Sequence, residues 1–307
     1  VDIFIQQLIN GLTLGSIYAL VALGYTMVYG ILGLINFAHG EVVMIGALTA
    51  VAVARPLAAA GLPAPLVLLL ALAVAALVCM ALGATIERIA YRPLRNAPRL
   101  APLITAIGVS IVLQQVAMLV WGRNYHAVPQ LLPGGSHEIL GAQVTEVQLI
   151  IMAVAALTML GLMQLVNRTK LGRAMRATAE SPAIAALMGV DANRIIMLTF
   201  VIGSGLGALA GVMVSANYGI AHYHMGFLLG LKAFTAAVLG GIGNLGGAML
   251  GGLLLGVIEA LGAGYIGDLT GGVLGSNYQD VFAFFVLIVV LIFRPSGLMG
   301  EKVAERA

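Results

Sequence analysis

The chain has 307 residues, 61% of them hydrophobic and only 9% charged, with a formal net charge of +3, whereas soluble domains carry roughly 25% charged residues. This balance excludes a soluble globular protein and argues against a nucleic-acid partner; it identifies an integral membrane protein whose few basic loops set its orientation. Cys79 is the sole cysteine and lies in an apolar run, so an internal disulfide is excluded and a packed thiol is expected.

A span needs about 20 apolar residues, because the hydrocarbon layer is about 30 Å thick and a helix rises about 1.5 Å per residue. The start, VDIFIQQLINGL, has neither a basic n-region nor a cleavage-site pattern and reads as part of the first span, with Val1 in place of Met pointing to a few trimmed residues. Residues 3–33 form that span. Residues 42–54 are short alone and reach full length only if the turn at 36–41 lies inside the membrane or at its face. Residues 66–86 carry no charge and run into ERIAYRPLRNAPR, with Arg88, Arg92, Arg95 and Arg99 against Glu87. Spans at 101–121 and 147–166 flank a polar segment, 122–146, which contains His126, His137, Glu138 and Arg123. Residues 195–216, 228–243, 245–266 and 281–293 complete the set. The fold class is thus an all-α, polytopic helical bundle of about eight to ten spans, some broken or re-entrant, in one transmembrane domain. Retention of Lys and Arg in short cytoplasmic loops places 87–99, 167–194 and the C-terminus inside and 122–146 outside; nine crossings put the N-terminus outside.

The 40 glycines are a second signal. Pairs four apart, such as Gly11/Gly15, Gly203/Gly207/Gly211, Gly226/Gly230, Gly247/Gly251 and Gly252/Gly256, put small residues on one helix face and let helices approach closely in lipid. The cluster LGGIGNLGGAMLGG is denser than packing requires, so a broken helix lining a water-filled path is plausible around Gly240, Gly241 and Asn244. A loose echo between INFAHGEVVMIGA and IGNLGGAMLGGLL raises a parallel repeat, with the two breaks facing one pathway.

Ionisable groups within spans are rare and mark paths or buried networks. Asn36, His39, Gly40, Glu41 and Glu259 are therefore path candidates together with Gly240, Gly241 and Asn244. The bland alternatives are that His39 and Glu41 cap a helix at the water boundary, that Glu259 is a hydrogen-bonded structural acid, and that Lys232 snorkels to the interface. Trp121, Tyr125, Tyr218 and Tyr223 fit an aromatic belt. The chain has no Gly-Lys dipeptide, so the phosphate-binding P-loop is absent. GxSxG and HExxH are absent too. Only His222 and His224 lie close together, a weak metal signal, so no catalytic or metal residue is assigned.

The longest basic, water-facing stretch is NRTKLGRAMRATAESPAIAALMGVDANR at 167–194. Within it Ser181-Pro182 is a helix start, Gly189 a stop, and Asp191 a second start. The apolar AIAALM between them would be an exposed knob, a liability unless a partner covers it or it folds back on the bundle.

Four blocks, GLINFAHGEVVMIGA, ERIAYRPLRNAPRLAPLITAIGVSIVLQ, GRAMRATAESPAIAALMGV and MGFLLGLKAFTAAVLGGIGNLGGAMLGG, resemble the permease subunits of ABC importers, most closely the branched-chain amino-acid, LivH-type family. The resemblance implies that a short coupling helix from the basic loop enters a cleft of an ATPase subunit. The matching stretch here carries Gly172, Arg173, Arg176, Ser181, Pro182, Ala183, Ala185, Leu187, Met188 and Gly189. It departs from the general permease pattern, since Ala183, Ile184 and Ala185 stand where Glu-Ala-Ala would precede the glycine. It further implies a multi-pass protein of the bacterial inner membrane, a second and distinct permease subunit, two ATPase subunits that bind ATP and Mg, and a periplasmic protein delivering leucine, isoleucine or valine. This chain would itself hold no cofactor. The alternative is an ion-coupled carrier using His39, Glu41 or Glu259 as its proton site.

Overall fold

The apolar runs fold into helices in a computed structural model that describes residues 2–98, 100–139, 141–272 and 278–300. In chain order these are α1 (Asp2–Leu32), α2 (His39–Ala59), α3 (Ala64–Ile86), α4 (Leu100–Trp121), α5 (Glu146–Arg168), α6 (Lys170–Glu180), α7 (Pro182–Leu187), α8 (Ala192–Tyr218), α9 (Met225–Gly240), α10 (Leu245–Leu269) and α11 (Gln279–Phe293). Among the described residues seven helices are long and apolar enough to cross a membrane, and α9 and α11 are shorter apolar helices. Each of the nine expected runs holds a helix, and the run at 228–243 stops short, at Gly240. The helix α3 continues through a π turn, Glu87–Tyr91, and a 3-10 turn, Arg92–Leu94. Arg99 lies outside the described residues.

Position in the bundle follows side-chain size. The central helix α1 packs along α10, where Gly11 and Gly15 face Gly252, Gly256 and neighbouring backbone; a Cβ on Gly15 would lie 2.7 Å from the Leu253 Cα. Backbones this close gain dispersion contacts that lipid chains cannot replace. The helices α2, α8 and α9 complete the core around α1. On the periphery α4 turns Leu100, Ile104, Ile107, Ile111 and Leu119 outward, as a helix apolar all round does in a bilayer.

Two ends result. At one, the start of α1 meets the polar segment before α5: Gln6 exchanges two hydrogen bonds with the Gln143 backbone, and Gln148 donates to Asn10. The segment holds short strands that hydropathy does not reveal, β1 (His126–Ala127), β2 (Ser136–Ile139) and β3 (Ala142–Thr145); β2 pairs antiparallel with β3, and β1 with β4 (Ile220–Ala221). Thr145 and Gln148 then form a capping box that starts α5. The other end carries Arg88, Arg92, Arg95, Arg168, Lys170, Arg173, Arg176, Arg194 and Arg294, against only Arg55 and Arg123 near the strands among the described residues.

Candidate functional site

The basic end is built around residues 167–191, which are more helical than a loop. Thr169 caps α6 by accepting from the Gly172 N–H (3.0 Å), and Gly172 lies where a Cβ would collide with the carbonyls of α5. Arg176 donates to the Val166 carbonyl. Gly172, Met175 and Thr178 face inward, while Arg173 and Arg176 face out. Ser181 then caps α7, accepting from the Ile184 N–H (3.3 Å), with Pro182 at the first helical position. Gly189 ends the knob at φ +83°, a backbone only glycine adopts without strain. Asp191 caps α8 through the Asn193 and Arg194 N–H groups. Only Ala185 of the knob is buried; Ala183, Ile184, Leu187 and Met188 point outward, the last two 86% and 80% exposed. The knob therefore stands clear and does not fold back on the bundle.

The first break is internal. After α1 the chain turns at Gly33, the Asn36 side chain accepts the Ala38 N–H, and α2 starts at His39 with Asn36, His39 and Glu41 all buried. This corrects the expectation of a cap at the water boundary. The reason is small neighbours: Gly24 and Gly207 leave room for the His39 ring, and Gly40 lies against Gly226 and Gly230 of α9. The edge of Tyr25 meets His39 with ring centroids 5.1 Å apart. Glu41 Oε1 accepts from Ser110 (3.1 Å) and Gln114 (2.7 Å) of α4, and its carboxylate lies in the first turn of α2, where the helix dipole favours it.

The second break is a closed turn. Gly240, Gly241 and Asn244 form the turn between α9 and α10, and residues after α11 close it: the Leu298 and Met299 N–H groups donate to the Leu239 and Gly240 carbonyls, and Asn244 donates to the Met299 carbonyl. Gly241 has φ +108°, and Gly240 and Gly247 touch backbone to backbone. Tight packing accounts for the density of glycine. The first break meets the start of α9 instead of this turn.

Glu259 is a hydrogen-bonded acid, and Lys232 does not snorkel. Lys232 lies 2.7 Å from Glu259 Oε1 and 2.7 Å from Asp280 Oδ1, and Tyr18 donates to Glu259 Oε2 at 3.0 Å. This buried network ties α1, α9, α10 and α11, and hydropathy missed it because its charges come from separate runs. Cys79 is packed as expected and donates to the Val42 carbonyl. His222 stacks on Tyr125, ring centroids 4.3 Å apart. At the strand end a cavity of about 410 Å³ opens between α2, α3 and α8 under residues 128–134, its walls mostly aliphatic (Ala50, Val51, Leu68, Val212), with Asn217 and Tyr218 as polar edges.

The family model described as "Branched-chain amino acid transport system / permease component" matches residues 7–291. The chain is 51% identical to the high-affinity branched-chain amino acid transport system permease protein BraD of Pseudomonas aeruginosa, over 99% of this chain and 98% of that protein. It is 46% identical to the corresponding LivH of Escherichia coli K12, over 99% and 97%, and 26% identical to a probable branched-chain amino acid transport permease of Methanocaldococcus jannaschii, over 93% and 89%. No solved structure matches.

Proposed function

Because the chain belongs to the branched-chain amino acid transport permease family, we propose that it forms half of a path carrying leucine, isoleucine, valine or related amino acids into the cell, powered by ATP hydrolysis on partner subunits. The observation that carries this reading is α7, an apolar knob capped at both ends and held in solvent at the basic end of a membrane bundle. Exposed apolar surface of this kind marks a binding site. The positive-inside rule puts that end, and the C-terminus, in the cytoplasm of a bacterial inner-membrane protein. There the knob meets one of two ATPase subunits, which bind ATP and Mg; this chain has no catalytic role and holds no cofactor. Gly172 and Thr169 set the angle of α6, Ser181, Pro182 and Gly189 shape the knob, Ile184, Leu187 and Met188 insert, and Arg173 and Arg176 flank the contact. A distinct sister permease completes the path, and a periplasmic binding protein delivers substrate to the strand end. Transport is alternating access: ATP binding on the partners favours one of two packings of the bundle.

The test is the double variant Leu187→Asp with Met188→Asp. The ATPase subunits are expected to be lost on purification from membranes, and leucine uptake with them. A variant that still co-purifies with the ATPase and still transports would sink the reading.

A further inference from the structure

Between the exposed knob and the buried turn at 36–41 lie two sets of hydrogen bonds, one to the first turn of α8 and one to Asn36, both made by residues at the inner end of α3 and its extension. Glu87, with no exposed surface, accepts from Arg92 and Arg95. Arg95 also donates to the Asn193 side chain, on the first turn of α8, four residues past Gly189. From the same π turn Tyr91, 1% exposed, points its hydroxyl at the Ile35 carbonyl and Asn36 Oδ1, both 3.2 Å away, and its ring packs on Phe200 of α8. Asn36 holds the Ala38 N–H at the start of α2, and Glu41, one turn on, holds Ser110 and Gln114 of α4.

We propose that Glu87, Tyr91 and Arg95 are positioning residues that relay movement of the knob to the turn that opens α2. This rests on the reading of α7 as the ATPase contact. The geometry suits a relay, because a π turn holds one residue more than an α turn and is frequent at functional sites. Conversion of residues 87–91 to regular α-helix rotates everything after them by about one residue's worth of helix, roughly a quarter of a turn. Arg95 then leaves Asn193, and Tyr91 leaves Asn36, so the two contacts make and break together. That is the discrete two-arrangement element through which coupling between separated sites travels.

The test uses the assembled importer, purified with its ATPase and sister subunits and reconstituted in liposomes. Uptake of labelled leucine and ATP hydrolysis are measured with and without the loaded binding protein. Tyr91→Phe removes only the hydroxyl, and Arg95→Met removes both hydrogen bonds of the guanidinium. Both variants are expected to co-purify with the ATPase and hydrolyse ATP at the basal rate, while leucine moved per ATP falls about 2- to 30-fold, the range of coupling changes along such networks. Arg95→Lys, which retains the charge near Glu87, is expected to recover part of the loss. Unchanged leucine per ATP in both variants overturns the relay. Loss of assembly in Tyr91→Phe also overturns it, since the hydroxyl would then serve only the fold. The Leu187→Asp, Met188→Asp variant, measured beside them, separates the two ideas: if it keeps its ATPase, the docking reading has failed, whereas a normal Tyr91→Phe with a disrupted double variant rejects the relay alone.

Discussion

Lys232 is where chemistry and sequence position part company. Near the end of an apolar run a lysine ordinarily reaches for the interface, yet here Glu259 and Asp280 approach its ammonium from α10 and α11, with Glu259 buried and Asp280 partly exposed. Burial of charge costs several kcal/mol per ion unless partners compensate. Removing one partner therefore costs more than the pair contributes. Lys232→Met, which leaves the buried Glu259 carboxylate without its cation, is expected to destabilise the protein by about 3–5 kcal/mol, seen as a lower midpoint of thermal unfolding in detergent. Glu259→Gln keeps an acceptor for Tyr18 and leaves Asp280 to the lysine, so its midpoint should lie between that variant and the parent. Equal midpoints for the two variants would contradict the network as described.

Helices here are specified locally but placed by glycine. The starts of α7 and α8 are legible because Ser181 and Asp191 each supply a side-chain oxygen to orphan N–H groups. Which helix lies against which is a different matter. The contact of α1 with α10 depends on Gly15 and Gly256, each of which would drive a Cβ into opposing backbone. Backbone cannot yield as a flexible side chain can, so Gly15→Val is expected to separate the helices at a cost of about 1–3 kcal/mol. A reduced yield of monodisperse protein after detergent extraction, with Gly108→Val in α4 unaffected because its surroundings are open, checks this. The same chemistry explains why the turn at 241–244 suggested a broken helix: close approach and positive φ demand glycine as strongly as a water-lined break does.

The whole molecule has a basic end and a strand end, and the positive-inside rule converts that asymmetry into orientation. Cys79 is buried and gives little background to thiol labelling. In the chain expressed without its ATPase subunits, Leu187→Cys, on the knob, is therefore expected to react with an impermeant maleimide only from the cytoplasmic side, and Ser136→Cys, on exposed β2, only from the outer side. Labelling of both from one side in sealed, oriented vesicles contradicts the topology.

Local chemistry alone determined the membrane class, the nine apolar runs and the capped knob, because hydrophobicity, capping and turn preference act within a few residues. The shape of the knob was legible for the same reason: every cap and stop that bounds α7 lies between Thr169 and Asp191. Tertiary structure alone decided that Glu41 faces α4, that Lys232 and Glu259 form a pair, and that the glycine-rich turn is sealed by residues 298–299. These depend on groups tens of residues apart, whose meeting is set by helix packing, and no periodicity in the chain encodes it. The knob could be read from the sequence; what it is tied to, through Asn193, Arg95 and Tyr91, could be read only from the fold.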